Sequence, residues 1–200
     1  MTEQPVLTSR GVLRHQALIE AAATLFLAKG FAAVTVDEVV AAAGGSKTNV
    51  YRQFGGKEGL FAQVVAHLGA EFLSPLTQLD LGDTDPATGL MILGRTLLRQ
   101  LLDPRHIAFQ RMVLASSGQF PQLMAHWYQV GPRQSQKIIA RFLARQDRSG
   151  AADRTGRAAI FFHDMIVTDL VNGAMMGRSA TEAEVDQVLR DAVAMVMQGL

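Results

Sequence analysis

Three consecutive side chains, Lys47, Thr48 and Asn49, carry the chemistry of base recognition. An asparagine amide can pair bidentately with adenine, and a lysine ammonium can donate to the acceptors of guanine. Other groupings that could do chemistry are poorly placed for it. His163 and Asp164 are adjacent and His126 precedes Trp127, but neighbours on a helix point about 100° apart and cannot act as a dyad. There is no His pair at i and i+4, no Gly-rich phosphate loop and no elbow-like Ser motif. The chain contains no cysteine, which excludes disulfides, thiolate metal sites and a Cys nucleophile. No cofactor is implied.

Residues 35–54 would position the base-reading trio. Thr35, followed three residues on by Glu38, is a capping box that starts a helix. Val36, Val39, Val40 and Ala43 recur at helical spacing, and Gly44-Gly45 supplies backbone on which a short helix can end and turn. Ser46 is the next N-cap. On the helix it opens, Val50 and Phe54 fall on one side, with Thr48, Asn49, Arg52 and Gln53 on the other. A short helix with hydrogen-bonding side chains on its outward N-terminal face is what entry into a DNA major groove requires.

Thr35, Gly44, Ser46, Lys47, Tyr51, Phe54 and Lys57 stand in the register of the TetR family of bacterial transcriptional regulators, which this stretch resembles. The preceding helix, with its Lys29-Gly30-Phe31 ending, matches as well, so the likeness covers about the first third of the chain. It implies a DNA-reading helix-turn-helix in which Lys47, Thr48 and Asn49 face base edges, with Ser46 beside them as the cap. Thr35, Tyr51, Gln53 and Lys57 would hold phosphates, and Arg52 is assignable to either class. Lys57 also stands in the first turn of the following helix, where free backbone N–H groups favour a phosphate. Two residues depart from the family pattern. Gly45 replaces a branched apolar residue, so the turn should be less tightly pinned, and the pair Thr48-Asn49 means that no operator sequence carries over by analogy.

The flanking sequence reads as helix throughout. Residues 1–9 form an arm; Arg10 and Arg14 at its end are either phosphate contacts or solvated cations, two readings the sequence leaves level. A helix over 13–29 carries the stripe Leu18, Ala22, Leu25 and Phe26, with Gly30 as a left-handed stop and Phe31 tucked into a three-helix core. After Phe54 a long helix runs to residue 73, and 74–86 is a loop rich in Pro, Gly and Asp. Helices are then predicted over 87–102, 104–117, 121–146, 152–176 and 181–197, the last with a Thr181/Glu184 capping box. With no alternating strand-like run, the fold class is all-α: an N-terminal helix-turn-helix domain over 1–58, and a larger helical effector-binding and dimerisation domain over 59–200. No stretch is expected to span a membrane, because Arg95, Arg99 and Asp164 interrupt the best candidates. A cytoplasmic protein follows.

The final two helices carry surplus apolar surface, and Gly173, Ala174 and Gly177 would permit close helix approach. Their pairing with a second copy would give a four-helix interface and a two-fold homodimer that presents two reading heads to a palindrome. Phe109, Met112, Trp127, Tyr128, Phe162, His163 and Met165 are candidates to line a small-molecule effector pocket, although such residues also simply fill cores. Residues 109–132 resemble the C-terminal domain of AefR-like TetR members, which implies an effector without naming it. Arg133, Lys137, Arg141 and Arg145 form a basic ridge, read as a solvated face. The function expected is a ligand-responsive repressor that binds double-stranded DNA as a dimer. The rivals are a helical enzyme, which would deplete a metabolite catalytically, and a non-catalytic interaction module, which would show no sequence-selective DNA binding.

Overall fold

The computed structural model describes residues 9–146 and 152–199, and among these the secondary structure is ten helices with no strand. They are α1 Ser9–Ala33, α2 Val36–Ala43, α3 Lys47–Phe54, α4 Lys57–Thr77, α5 Pro86–Leu101, α6 Pro104–Ala115, α7 Pro121–Val130, α8 Pro132–Gln146, α9 Ala152–Met175 and α10 Glu182–Gly199. The proposed arm lies outside the described residues except for Ser9, which opens α1 four residues before the expected start. Gly30 interrupts α1 with φ 77° and ψ 163°. Its positive φ suits glycine, but the extended ψ differs from the left-handed stop expected, and the chain leaves the helix axis there so that Phe31 can turn inward.

Two further boundaries differ from the sequence expectation. α4 runs through Pro75 to Thr77; Phe72 and Leu76 on either side are buried, and that packing offsets the backbone bond proline cannot make. The 121–146 stretch is two helices. Gly131 ends α7 at φ −100°, ψ −96°, and Pro132 opens α8, where its missing N–H costs nothing. Within the chain, Gly173 also leaves room for the Arg178 side chain, since a Cβ there would lie 2.6 Å from its Nε.

Two apolar cores organise the helices. One joins α1, α2 and α3 to α4 as far as Phe72 and continues into α6, through Phe109, Met112 and Val113, with Phe120 and with Leu123, Met124 and Trp127 of α7 packed on it. The other is built from the end of α4 with α5, α8, α9 and α10. Among the described residues one segment, Gly11–Ala33, is long and apolar enough to cross a membrane by length and composition, contrary to expectation. Its Leu18, Ala22 and Phe26 are the buried core of the N-terminal domain, so that apolar surface is already used in packing.

Candidate nucleic-acid interface and an aromatic cavity behind it

The capping box at Thr35 forms as expected: the Glu38 N–H donates to Thr35 Oγ1 at 3.2 Å, and the Thr35 N–H donates to Glu38 Oε2 at 2.8 Å. Lys29 closes on the same carboxylate at 2.7 Å. Its hydrogen bond, followed by those from the Thr35 N–H and hydroxyl, holds Glu38 down at about 2. Thr35 is therefore a fully engaged cap at the mouth of α2, with its hydroxyl also donating to Glu38 at 3.0 Å. Ser46 caps α3 by accepting from the Asn49 N–H at 3.4 Å.

α3 is anchored by Val50 and Phe54, both buried, and leaves Lys47, Thr48, Tyr51 and Arg52 exposed. Several of these polar groups have partners. Lys47 Nζ lies 2.8 Å from Asp37 of α2, a pairing that raises the lysine pKa. Arg52 donates to Asn49 Oδ1 at 2.9 Å, which leaves the asparagine amide N–H groups and a second oxygen lone pair outside that bond. Gln53 is half-buried and its Oε1 lies 3.1 Å from His15 Nδ1, while the His15 ring stacks on Phe54 at 4.7 Å. Gln53 thus ties α3 to α1. Lys57 is likewise half-buried: Nζ donates to the Ala32 carbonyl at 3.2 Å and stands 4.3 Å from the Phe31 ring centroid. Arg14 is exposed on α1; the side chain of Arg10 lies outside the described residues.

Behind this head, α4, α5, α6, α7, α8 and α9 line a small, partly open cavity of about 60 Å³. Of the seven residues expected to line a pocket, Phe109, Trp127 and His163 do so. The others lie elsewhere. Met112 is in the N-terminal core and Phe162 in the second core. Tyr128 is exposed beside the Arg133 guanidinium, and Met165 belongs to an open groove on α9 and α10. A 100° step per residue along a helix sends Phe162 into the second core and its neighbour His163 to the cavity.

Sequence reasoning missed His106, Gln110 and Ser135, which also line the cavity. His106 is 5% exposed, packs edge-on against Phe72 at 4.5 Å and lies 3.0 Å from the Gln110 amide nitrogen through Nε2, while Nδ1 has no hydrogen-bond partner. No local signal marks it, because its neighbours come from α4 and from its own helix face. Burial holds its ring at about 4, outweighing the pull of Asp103 in the other direction. Contrary to the sequence expectation that His163 and Asp164 point apart, Asp164 Oδ1 lies 2.8 Å from His163 Nδ1; burial lowers His163 as well, against the opposing effect of that carboxylate. The unfolded chain protonates these rings below about 6.5, whereas the folded chain resists protonation, so stability falls as pH drops from 6.5 towards 4. For His106 this loss is on the order of 3 kcal/mol. Chemical denaturation at several pH values should show it, and His106→Phe should flatten the slope.

Besides the core shared with α6, the head connects to this region through an aromatic contact and a chain of ion pairs. Phe120, at the start of α7, meets Phe31 at 4.9 Å and Phe61 at 5.7 Å between ring centroids. His67 of α4 stands 3.1 Å from Glu20 of α1, and the Glu71 carboxylate one turn on pairs with Arg105 of α6. Among the described residues no group of three or more His, Asp or Glu could hold a metal ion.

The comparison with curated proteins gives no match. Residues 18–64 match the family model described as "Bacterial regulatory proteins, tetR family", and residues 88–199 match "AefR-like transcriptional repressor, C-terminal domain". A TetR-family transcriptional regulator from Mesorhizobium loti is similar over 96% of this chain and 98% of its own, at 26% identity and a TM-score of 0.81. The flavonoid-responsive regulator FrrA is 28% identical, with 92% of this chain and 95% of that one covered and a TM-score of 0.76. A TetR regulator from Agrobacterium tumefaciens, at 22% identity, shares the fold with a TM-score of 0.71 over 92% and 93% of the two chains. With a family match over more than half its length and a helix-turn-helix head seated on a helical second domain, the chain belongs to the TetR family of transcriptional regulators, in its AefR-like group.

Proposed function

We propose that this cytoplasmic regulator binds a palindromic operator as a homodimer, represses, and is released when a small molecule enters the cavity behind the head. The observation that carries the reading is α3: two buried anchors hold it, and its N-terminal polar face is presented to solvent. Lys47, Thr48 and Asn49 meet base edges, with Ser46 as their cap. Lys47 must exchange Asp37 for a base, which disfavours wrong partners because the ammonium gives up an existing ion pair. Arg52 steadies Asn49. Tyr51, Gln53, Arg14 and Lys57 set the register along the phosphates, while Thr35, whose N–H and hydroxyl both donate to Glu38, would reach a phosphate only by releasing that carboxylate. Lys57 has a second duty, since it fastens the start of α4 to the end of α1.

The groove of about 730 Å³ across α9 and α10, with Phe161 and Met195 exposed along it, supports pairing of these helices with a second copy. A two-fold dimer places two heads at a fixed spacing. A ligand acts only by preferring one spacing over another. The response of FrrA to flavonoids supports a small, largely aromatic effector. Movement reaches the heads through α4 and through the Phe120 contact.

Selection of bound fragments from a random DNA library at physiological salt tests the reading. A palindrome with half-sites about one helical turn apart is expected; recovery of nothing above background would sink it. Against the selected site, Asn49→Ala should weaken binding by about 1 to 3 kcal/mol and relax preference at one base position. Lys57→Met, which keeps cover on Phe31, should weaken binding to all DNA alike and lower the salt slope by about 1. An unchanged slope would leave Lys57 a structural fastener only.

A further inference from the structure

We infer that the cavity behind the head takes an uncharged aromatic compound bearing hydroxyl groups, seated among the rings of Phe72, Phe109 and Trp127 and read by His106 and His163. The inference rests on the reading above, that a small molecule releases this regulator from DNA.

The charge of the ligand follows from the lining, which contains no Asp, Glu, Lys or Arg. A carboxylate, phosphate or ammonium entering it would shed water and meet only two imidazoles, both pushed towards the neutral form by burial, at a cost that disfavours it. The aromatic character follows from the walls. Phe72 and Phe109 stand 5.6 Å apart between centroids, and Trp127 lines the same space from α7. Such walls accept a flat ring in offset or edge-on contact.

The hydroxyl groups follow from two imidazoles. His106 Nδ1 is buried and unpaired, and an unpaired buried polar atom in a folded core calls for a partner. If the Gln110 amide N–H donates to Nε2, Nδ1 carries the proton and is a donor. If the amide is turned the other way, Nδ1 is an acceptor. A hydroxyl group serves either case, because it both donates and accepts; an ether or a carbonyl serves only one. The other ring has its direction set. His163 Nδ1 lies 2.8 Å from the Asp164 carboxylate, which places the proton on Nδ1 and leaves Nε2 as an acceptor for an O–H.

Size explains why such a ligand would act on DNA binding. A cavity of about 60 Å³ is well below the roughly 300 Å³ at which small-molecule sites begin, so occupancy must part the walls. The wall most free to move is α7, which has no fully buried residue and joins α8 through Gly131-Pro132 at the edge of the cavity. Displacing Trp127 outward moves Phe120 on the same helix, and Phe120 rests on Phe31 and Phe61 in the head.

Trp127 is the single tryptophan of the chain, so its fluorescence reports on the cavity directly. The full-length protein would be titrated with a panel of neutral hydroxylated aromatics from phenol to naringenin, with the O-methyl ether of each, and with palmitate. The expected result is a saturable change with at least one hydroxylated member, binding at least about tenfold tighter than its methyl ether, and no saturable change with palmitate. His106→Phe, which keeps a ring against Phe72, should reduce the preference for hydroxyl over methyl ether severalfold, the remainder resting on His163. His106→Gln, which restores a donor and an acceptor, should recover part of it. Binding by none of the panel, equal binding of the ethers, tighter binding of palmitate, or a preference untouched in His106→Phe would each overturn the inference. Operator selection on the same preparation separates the two failures: selective DNA binding without a response to the panel removes only the ligand class, whereas no selective DNA binding removes the regulator reading itself.

Discussion

Gly59→Ala should unseat the reading helix. A Cβ at this position would lie 1.7 Å from the Phe54 carbonyl oxygen and 2.9 Å from its carbon. Both atoms belong to the backbone at the end of α3, so no side-chain rotation relieves the overlap. α3 must move away from α4, and Val50 and Phe54, which anchor it, must move too. Overpacking a core costs about 1 to 3 kcal/mol and occasionally more; a clash with backbone belongs at the upper end. Thermal unfolding should show the loss of stability. Affinity for the selected operator should fall by at least about tenfold beyond what unfolding explains, because a base-reading side chain must be held within about 0.5 Å of its productive position. A variant that unfolds at the parent temperature and binds the operator normally would mean that α3 and α4 do not approach this closely.

Phe161→Glu should separate the proposed dimer while leaving each chain folded. Phe161 is 62% exposed and Met195 64% exposed on the α9–α10 face, beside Ala158, Met165 and Val196. An aromatic residue on such a patch has the character of an interface anchor, whose truncation costs about 2 kcal/mol or more. In a two-fold interface the substitution enters from both copies and sets like charges in a desolvated patch. The combined effect on operator affinity is on the order of a hundredfold or greater, since a single head keeps only one half-site. Light scattering after size exclusion would give the mass, and operator titration the affinity. A dimer of unchanged stability would show that the copies pair through another surface. The melting temperature should barely change, because an exposed side chain adds little to the stability of its own chain.

The reading head was the most legible part of the sequence because its signals are local. The Thr35/Glu38 box, the Gly44-Gly45 turn and the i, i+4 anchors Val50 and Phe54 each report on residues within one or two helical turns. The Gly turn takes positive φ at both residues, 75° and 116°, which is the freedom two glycines supply. The ends of helices were less legible where packing outweighs propensity. Pro75 lies inside α4 because the residues around it are buried, while Gly131-Pro132 splits a stretch whose apolar periodicity runs on without a break.

The cavity shows the limit most clearly. Composition and spacing single out large side chains with polar tips, and of the seven chosen, Phe109, Trp127 and His163 meet in one space whereas Met112, Phe162, Tyr128 and Met165 do not. His106, the residue with the most unsatisfied chemistry there, carries no local mark. For Lys47, Gln53 and Lys57 the residue types were readable, but their partners Asp37, His15 and Ala32 were not. The sequence by itself determined the all-α class, the helix-turn-helix and the polar face of α3, because capping, turn freedom and helical periodicity act over a few residues. Only the tertiary structure decided which aromatic side chains share a cavity, which cations are already paired, and that α7 rests on the head through Phe120, because those facts depend on the angles and distances at which helices far apart in the chain pack together.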